Sequence, residues 1–140
     1  MKRIILFFFF VLFSIKSYCQ SLSFKDIVFL TQQESAEDFL TSKSFRLVVK
    51  NNKVETYTLN EGTDKEEKVF FTKKGVLYDS FNKNYVSSLT VQIRKQFKLI
   101  IKNDNRNDTF YQFGDASINI MVNVNKGPHV FSSVSMAKRP

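Results

Sequence analysis

From Phe45 onward the chain alternates with the period of two that a half-buried strand requires. Phe45, Leu47 and Val49 interleave with Arg46, Val48 and Lys50, and Val54 to Leu59 returns as a partner. Asn51-Asn52 between them predicts a tight turn tolerant of positive φ, so the segment reads as a β-hairpin. The polar stretch Asn60 to Glu67 predicts a connecting loop. Val69 to Thr72, a turn at Lys73-Lys74-Gly75 and Val76 to Ser80 predict a second hairpin. Thr109 to Phe113 predicts a further strand, turned by Gly114-Asp115. Ala116, Ile118, Ile120, Val122 and Val124 then alternate strictly with Ser117, Asn119, Met121 and Asn123. Such a strand has one face buried and one wet, as in an antiparallel sheet covered by helices on one side. Lys126-Gly127-Pro128 breaks it, Val130 to Met136 predicts an edge strand, and Ala137 to Pro140 a frayed tail. No internal repeat appears after the leader.

Before Phe45 the spacing is helical. Ser23 as N-cap with Asp26 at N3 fits a capping box, and Leu22 and Ile27 fit a hydrophobic staple around it. Ser35-Ala36-Glu37-Asp38 repeats the box ahead of Phe39-Leu40, which predicts two short helices or one broken near Gln33. Residues 81–102 suit both templates. Val86, Leu89, Ile93 and Phe97 have helical spacing, whereas Leu89, Val91 and Ile93 also alternate as a strand would. A helix at 86–97, capped by Ser87 or Ser88 and ending in basic residues, followed by a strand at Lys98 to Lys102, is the preferred assignment. The fold class is therefore α+β: an N-terminal helical segment plus an antiparallel sheet of short hairpins, with a second helix near 86–97. Residues 20–136 form one domain.

The first nineteen residues belong to a different pattern. Lys2 and Arg3 precede an apolar run from Ile4 to Ile15 interrupted only by Ser14, and Lys16-Ser17-Tyr18-Cys19 follows. Charged, apolar and polar regions in that order make a secretory signal peptide. The apolar run is roughly 18 Å long as a helix, well short of the ~30 Å hydrocarbon core. That length argues against an uncleaved anchor, so no permanent span is expected after cleavage. Ser17 and Cys19 are the small residues that place the cut between Cys19 and Gln20. Lys16 and Tyr18 depart from the pattern that would make Cys19 a lipidated first residue. The expected address is periplasmic or secreted.

The leader also alters the composition. It holds five of the 16 Phe, the single Cys, and the bases Lys2, Arg3 and Lys16, so the domain is less basic than the net +8 of the whole chain. A domain without cysteine has no disulfide framework and no thiol nucleophile.

The leader's Phe run ending in Cys19-Gln20, the opening helix from Ser21 to Leu30, and the junction Asp38-Phe39-Leu40-Thr41-Ser42-Lys43-Ser44-Phe45 ahead of short strands resemble small exported proteins of unassigned function from Bacteroidetes-type bacteria. In that group the junction commonly carries Gly where this chain has Ser44. The resemblance implies a Gram-negative envelope address and brings no active site with it.

Catalytic chemistry finds little support. His129, the lone histidine, follows Pro128 in a turn, and no serine lies in a nucleophile-elbow context. Glu34, Glu37 and Asp38 sit where helix capping favours acids, and Glu66 and Glu67 lie beside Lys65 and Lys68. Asn103 to Asp108 fails the calcium-loop register from either start. Asn107-Asp108-Thr109 is a glycosylation sequon that matters only in a eukaryotic secretory pathway. The four glycines stand in turn contexts, with no phosphate loop, CxxC or HExxH, so no cofactor is expected.

One local charge excess stands out: Arg94, Lys95, Lys98, Lys102 and Arg106, with Asp104 the only acid among them. Such a strip suits an anionic envelope component or an acidic protein partner. Export and the lack of any nucleic-acid motif argue against nucleic acid. The expected function is an exported, non-enzymatic binding or interaction domain. The alternatives are an inhibitor or immunity-type protein for an exported partner and a small metal-independent envelope hydrolase using a carboxylate pair.

Overall fold

Ser23 starts the first helix as its spacing to Asp26 dictates. In the computed structural model, which describes residues 21–139, the Ser23 hydroxyl accepts from the Asp26 N–H at 3.2 Å and the Asp26 carboxylate accepts from the Ser23 N–H at 2.8 Å. The expected leader and the expected cut between Cys19 and Gln20 lie outside the described residues. Helix α1 (Phe24–Thr31) buries Phe24, Ile27 and Leu30. Helix α2 (Glu37–Ser42) begins differently from the expectation: Ala36 is its N-cap with no side-chain cap, and Ser35 reaches only the Glu37 N–H, at 3.5 Å. The chain leaves α2 through Ser44 at φ 67, a left-handed conformation that glycine adopts without strain.

Eight strands follow in two groups of four, separated by one helix: β1 (Arg46–Lys50), β2 (Glu55–Leu59), β3 (Glu67–Thr72), β4 (Gly75–Ser80), α3 (Lys83–Arg94), β5 (Lys98–Asp104), β6 (Asp108–Gly114), β7 (Ile118–Asn125) and β8 (Ser132–Lys138). All pair antiparallel in one sheet of order β1-β2-β3-β4-β8-β7-β6-β5. Helix α1 packs against β4 and β8, α2 against β1, and α3 against β7 and β8. Sheet and helices meet in a core that includes Tyr57, Val69, Tyr78, Ile120, Val134 and Met136 from the strands and Leu89 and Ile93 from α3. Each such side chain contributes roughly 1.5–3 kcal/mol by leaving water. Phe24 of α1 meets Phe97 edge-on, with ring centres 6.2 Å apart, which ties α1 to the end of α3. The fold mixes helix and strand and is mostly sheet.

Four expectations need correction. The strand expected at an edge, β8, is central, lying between β4 and β7. Alternation shows which face of a strand is buried, and it carries no information about which strands flank it. The expected tail at 137–140 is in part strand: Ala137 and Lys138 belong to β8, and the Arg139 N–H bonds the Ser117 carbonyl at 2.8 Å. Helix α3 starts earlier than 86, because Asn82 rather than Ser87 or Ser88 caps it by accepting from the Tyr85 N–H at 3.0 Å. The β1–β2 turn has no positive φ at Asn51 or Asn52. It closes from Asn51 to Val54, with the Asn51 side chain accepting from the Lys53 and Val54 N–H groups at 2.9 Å each.

A fifth correction concerns repeats. A helical segment, two helices in the first half and one in the second, is followed in each half by a four-stranded meander, and the halves join along the β4–β8 seam. Phe45-Arg46-Leu47-Val48-Val49-Lys50-Asn51 and Phe97-Lys98-Leu99-Ile100-Ile101-Lys102-Asn103 are the same heptapeptide with conservative changes. Each forms an edge strand of the sheet, and each is bulged at the same place, between Leu47 and Val49 and between Leu99 and Ile101. The repeat is confined to these strands, and the helical segments ahead of them differ.

Candidate functional site

Period-two geometry divides the basic strip. On β5 Lys102 stands opposite Tyr111 of β6, on the face covered by helices. Lys98 pairs with Gly114 on the other side of the bulge and projects to the helix-free face with Ile101. Lys95 is the exposed C-cap of α3, and Arg106 lies in the exposed β5–β6 turn. Only Arg94 and Lys102 are brought together. The Arg94 guanidinium lies 5.6 Å from the Tyr111 ring centre and the Lys102 ammonium 5.8 Å from it, both within cation–π range.

Beside Tyr111 a groove of about 460 Å³ runs between α3 and strands β6 and β7. Arg94 stands at the C-terminal end of α3, and Lys83 and Lys126 stand near its N-terminal end. Val91 and Val124 give apolar walls. Among the described residues, Arg94, Lys102 and Lys83 form no ion pair. Lys83 only approaches the Lys126 carbonyl, at 3.4 Å. Lys126 is engaged by Asp104, 2.6 Å away, and the same carboxylate oxygen accepts from the Thr109 hydroxyl at 2.9 Å. Those two bonds, Lys126 first, hold the Asp104 carboxyl below its usual range. Sequence reasoning missed Lys83, Lys126 and Tyr111, since residues from three distant segments converge only once β7 lies beside β6.

The first half of the chain gives an internal comparison. Lys50 is the counterpart of Lys102 in the repeated heptapeptide, yet its partner across the strands is Glu55, 3.2 Å away, and Glu37 of α2 lies at 2.8 Å. The Tyr57 hydroxyl donates to Glu55 at 2.6 Å and this bond, ahead of Lys50, keeps the Glu55 carboxyl low. In one half the lysine is neutralised by two carboxylates. In the other it lies by a tyrosine and an arginine, and Asp104, two residues on along the same face, acts on it without forming an ion pair.

The remaining sequence candidates fall elsewhere. Glu66 pairs with Lys68 at 3.2 Å, and Glu37 is committed to Lys50. Glu67 is buried at 5 % exposure beneath the start of the domain, where it accepts a hydrogen bond from Ser21, and the Tyr85 hydroxyl donates to the Leu22 carbonyl at 2.8 Å. Its other oxygen and the Tyr78 hydroxyl are both buried and face each other without a well-formed hydrogen bond. Burial pushes the carboxyl above its ordinary value against the opposing influence of Ser21 and Tyr78. His129 is exposed at φ 54 in the β7–β8 turn. In the β5–β6 turn the Asn105 side chain caps the Asn107 and Asp108 N–H groups. On the helix-free face Asp79 of β4 lies between Lys68 of β3 and Ser133 of β8. Next to it Phe81 and Phe131 stack at 3.9 Å, with Lys68 5.0 Å from the Phe131 ring centre.

Among the described residues no helix is long and apolar enough to cross a membrane. Compared with protein families, curated proteins and solved structures, the chain matches none.

Proposed function

We propose that the protein is an exported, non-enzymatic binding module whose groove along α3 takes a ligand bearing an oxyanion: a carboxylate, sulfate or phosphate. The observation that carries this is the contrast between Lys50 and Lys102. The same strand position is compatible with a neutralised lysine, as the first half demonstrates, so the cations left unpaired around Tyr111 are not a requirement of the fold. A charge-assisted hydrogen bond to an oxyanion contributes about 1.5–3 kcal/mol, which makes two or three converging cations sufficient for measurable affinity. The leader's order of charged, apolar and polar regions supports export, and with it a carbohydrate or other envelope anion in preference to nucleic acid.

Retention on immobilised heparin tests the proposal. Arg94→Gln combined with Lys102→Gln removes the two cations beside Tyr111, of which Arg94 lines the groove. Lys98→Gln combined with Arg106→Gln removes the same formal charge outside the groove. The first pair is expected to weaken binding about tenfold or more and the second by no more than about threefold. Equal losses from both pairs would reduce the effect to net charge, and no loss from the first would refute the groove.

A further inference from the structure

The groove has two cationic ends rather than one. Arg94, with Lys102 beside it, lies at the last turn of α3, while Lys83 lies at its first residue with Lys126 nearby. Along a helix at 1.5 Å per residue Lys83 and Arg94 are about 16 Å apart, while Thr109 and Asp104 stand two strand residues, about 7 Å, from Tyr111 and Lys102. A single sulfate or phosphate satisfies one end of the groove and leaves the other bare. Between them the walls are Val91, more than half exposed, and Val124. An apolar wall suits the C–H face of a sugar ring and offers nothing to a bare phosphate chain.

At the second end the structure already contains an oxyanion of its own. One oxygen of Asp104 accepts from both Lys126 and Thr109, two residues that line the groove, at 2.6 and 2.9 Å. The Lys126 contact is as short as a charge-assisted bond, and the Thr109 contact is an ordinary hydroxyl bond. Asp104 is exposed, with its side chain 55 % accessible, so its share of the hold on Lys126, whose ammonium also donates to the Asn105 carbonyl, is that of a surface ion pair and is weak enough to be exchanged. Thr109 can turn its hydroxyl to a different acceptor on the same side.

Resting on the binding function proposed above, we infer that the ligand is a linear acidic polysaccharide carrying at least two oxyanions. One is held at Arg94. The other displaces Asp104 from Lys126 and Thr109. Asp104 is then an internal competitor that lowers affinity, and its removal strengthens binding instead of weakening it.

The test measures, by calorimetry on the full chain, binding of a heparin-derived oligosaccharide long enough to span about 16 Å, with an inorganic polyphosphate of similar length as a second probe. Arg94→Gln and Lys126→Gln are each expected to weaken the oligosaccharide about tenfold. Asp104→Asn should tighten it about two- to fivefold, the range of an exposed ion pair. Polyphosphate should bind more weakly than the oligosaccharide. Loss with Arg94→Gln but no change with Lys126→Gln or Asp104→Asn would overturn the two-ended ligand while leaving the oxyanion site in place. No change with Arg94→Gln would overturn the binding function itself. Polyphosphate binding as tightly as the oligosaccharide would overturn the sugar class. Unchanged far-ultraviolet circular dichroism of each variant separates loss of binding from loss of fold.

Discussion

Asp79 sits on the open face of the sheet's central seam, and replacing it by Asn should make the protein more stable near neutral pH. Burial raises its carboxyl from an ordinary 3.8 to about 6, against the opposing attraction of Lys68 across the strands. The charged form is therefore disfavoured in the fold relative to the unfolded chain. Stability from the neutral form is fully present below 3.8 and is lost as pH rises through about 6. A change of this size corresponds to about 3 kcal/mol if taken at face value. Asp79 is only partly buried, and solvent screening reduces the expected penalty to about 1–2 kcal/mol. Asp79→Asn keeps the shape and removes the titration. Urea unfolding followed by circular dichroism at intervals from pH 3.5 to 8 should show the variant more stable than the parent by about 1–2 kcal/mol above pH 6.5, with the difference shrinking towards zero at pH 3.5. Other titrating groups are common to both proteins and cancel in the difference. A variant that is less stable at pH 7, or a difference that does not vary with pH, would refute the argument by showing that the Lys68 contact outweighs desolvation.

Three further outcomes follow from local geometry. Glu67→Gln should raise the denaturant midpoint at pH 8 and do so less at pH 4, because burial raises the Glu67 carboxyl against the weaker opposing pull of Ser21 and Tyr78, and the amide has no charge to desolvate; midpoints at the two pH values check it. Gly75→Ala should cost about 3 kcal/mol, since an added Cβ lies 2.2 Å from the Met136 carbonyl oxygen in the adjacent strand, and a drop in thermal midpoint reads it directly. Ser44→Gly should stabilise by about 0.5–1 kcal/mol, relief of the left-handed backbone at φ 67 exceeding the added freedom of the unfolded chain. An unchanged or lowered midpoint for Ser44→Gly would contradict that balance.

Much of the architecture was legible from local chemistry. The Ser23–Asp26 box located the first helix, and alternation with turn residues located the strands, since each of these signals acts over a few residues. What could not be read was partnership across the chain. Nothing in Ser132 to Lys138 reveals that it inserts between β4 and β7, because register and neighbours depend on residues some sixty positions away. The same reason divides the candidate site. Arg94 and Lys102 were visible as a basic cluster, but Lys98 belonged to the opposite face once the strand was formed. Lys83 and Lys126 became relevant only when the β7 strand came to lie under α3. Tyr111 was unremarked because a tyrosine in a strand ordinarily signals packing, and its role comes from the two cations placed over it.

The seam between β4 and β8 has a kinetic consequence. Within each half, strands pair with their sequence neighbours through short turns, contacts that close quickly and at small entropic cost. Gly75 with Ala137 and Ser80 with Ser132 belong instead to pairings that close the longest loops of the sheet. The two meanders can thus form early and independently, and their union across the seam comes late. Substitutions at the seam, Gly75→Ala among them, should accelerate unfolding while leaving the refolding rate nearly unchanged, whereas substitutions inside either meander should slow refolding.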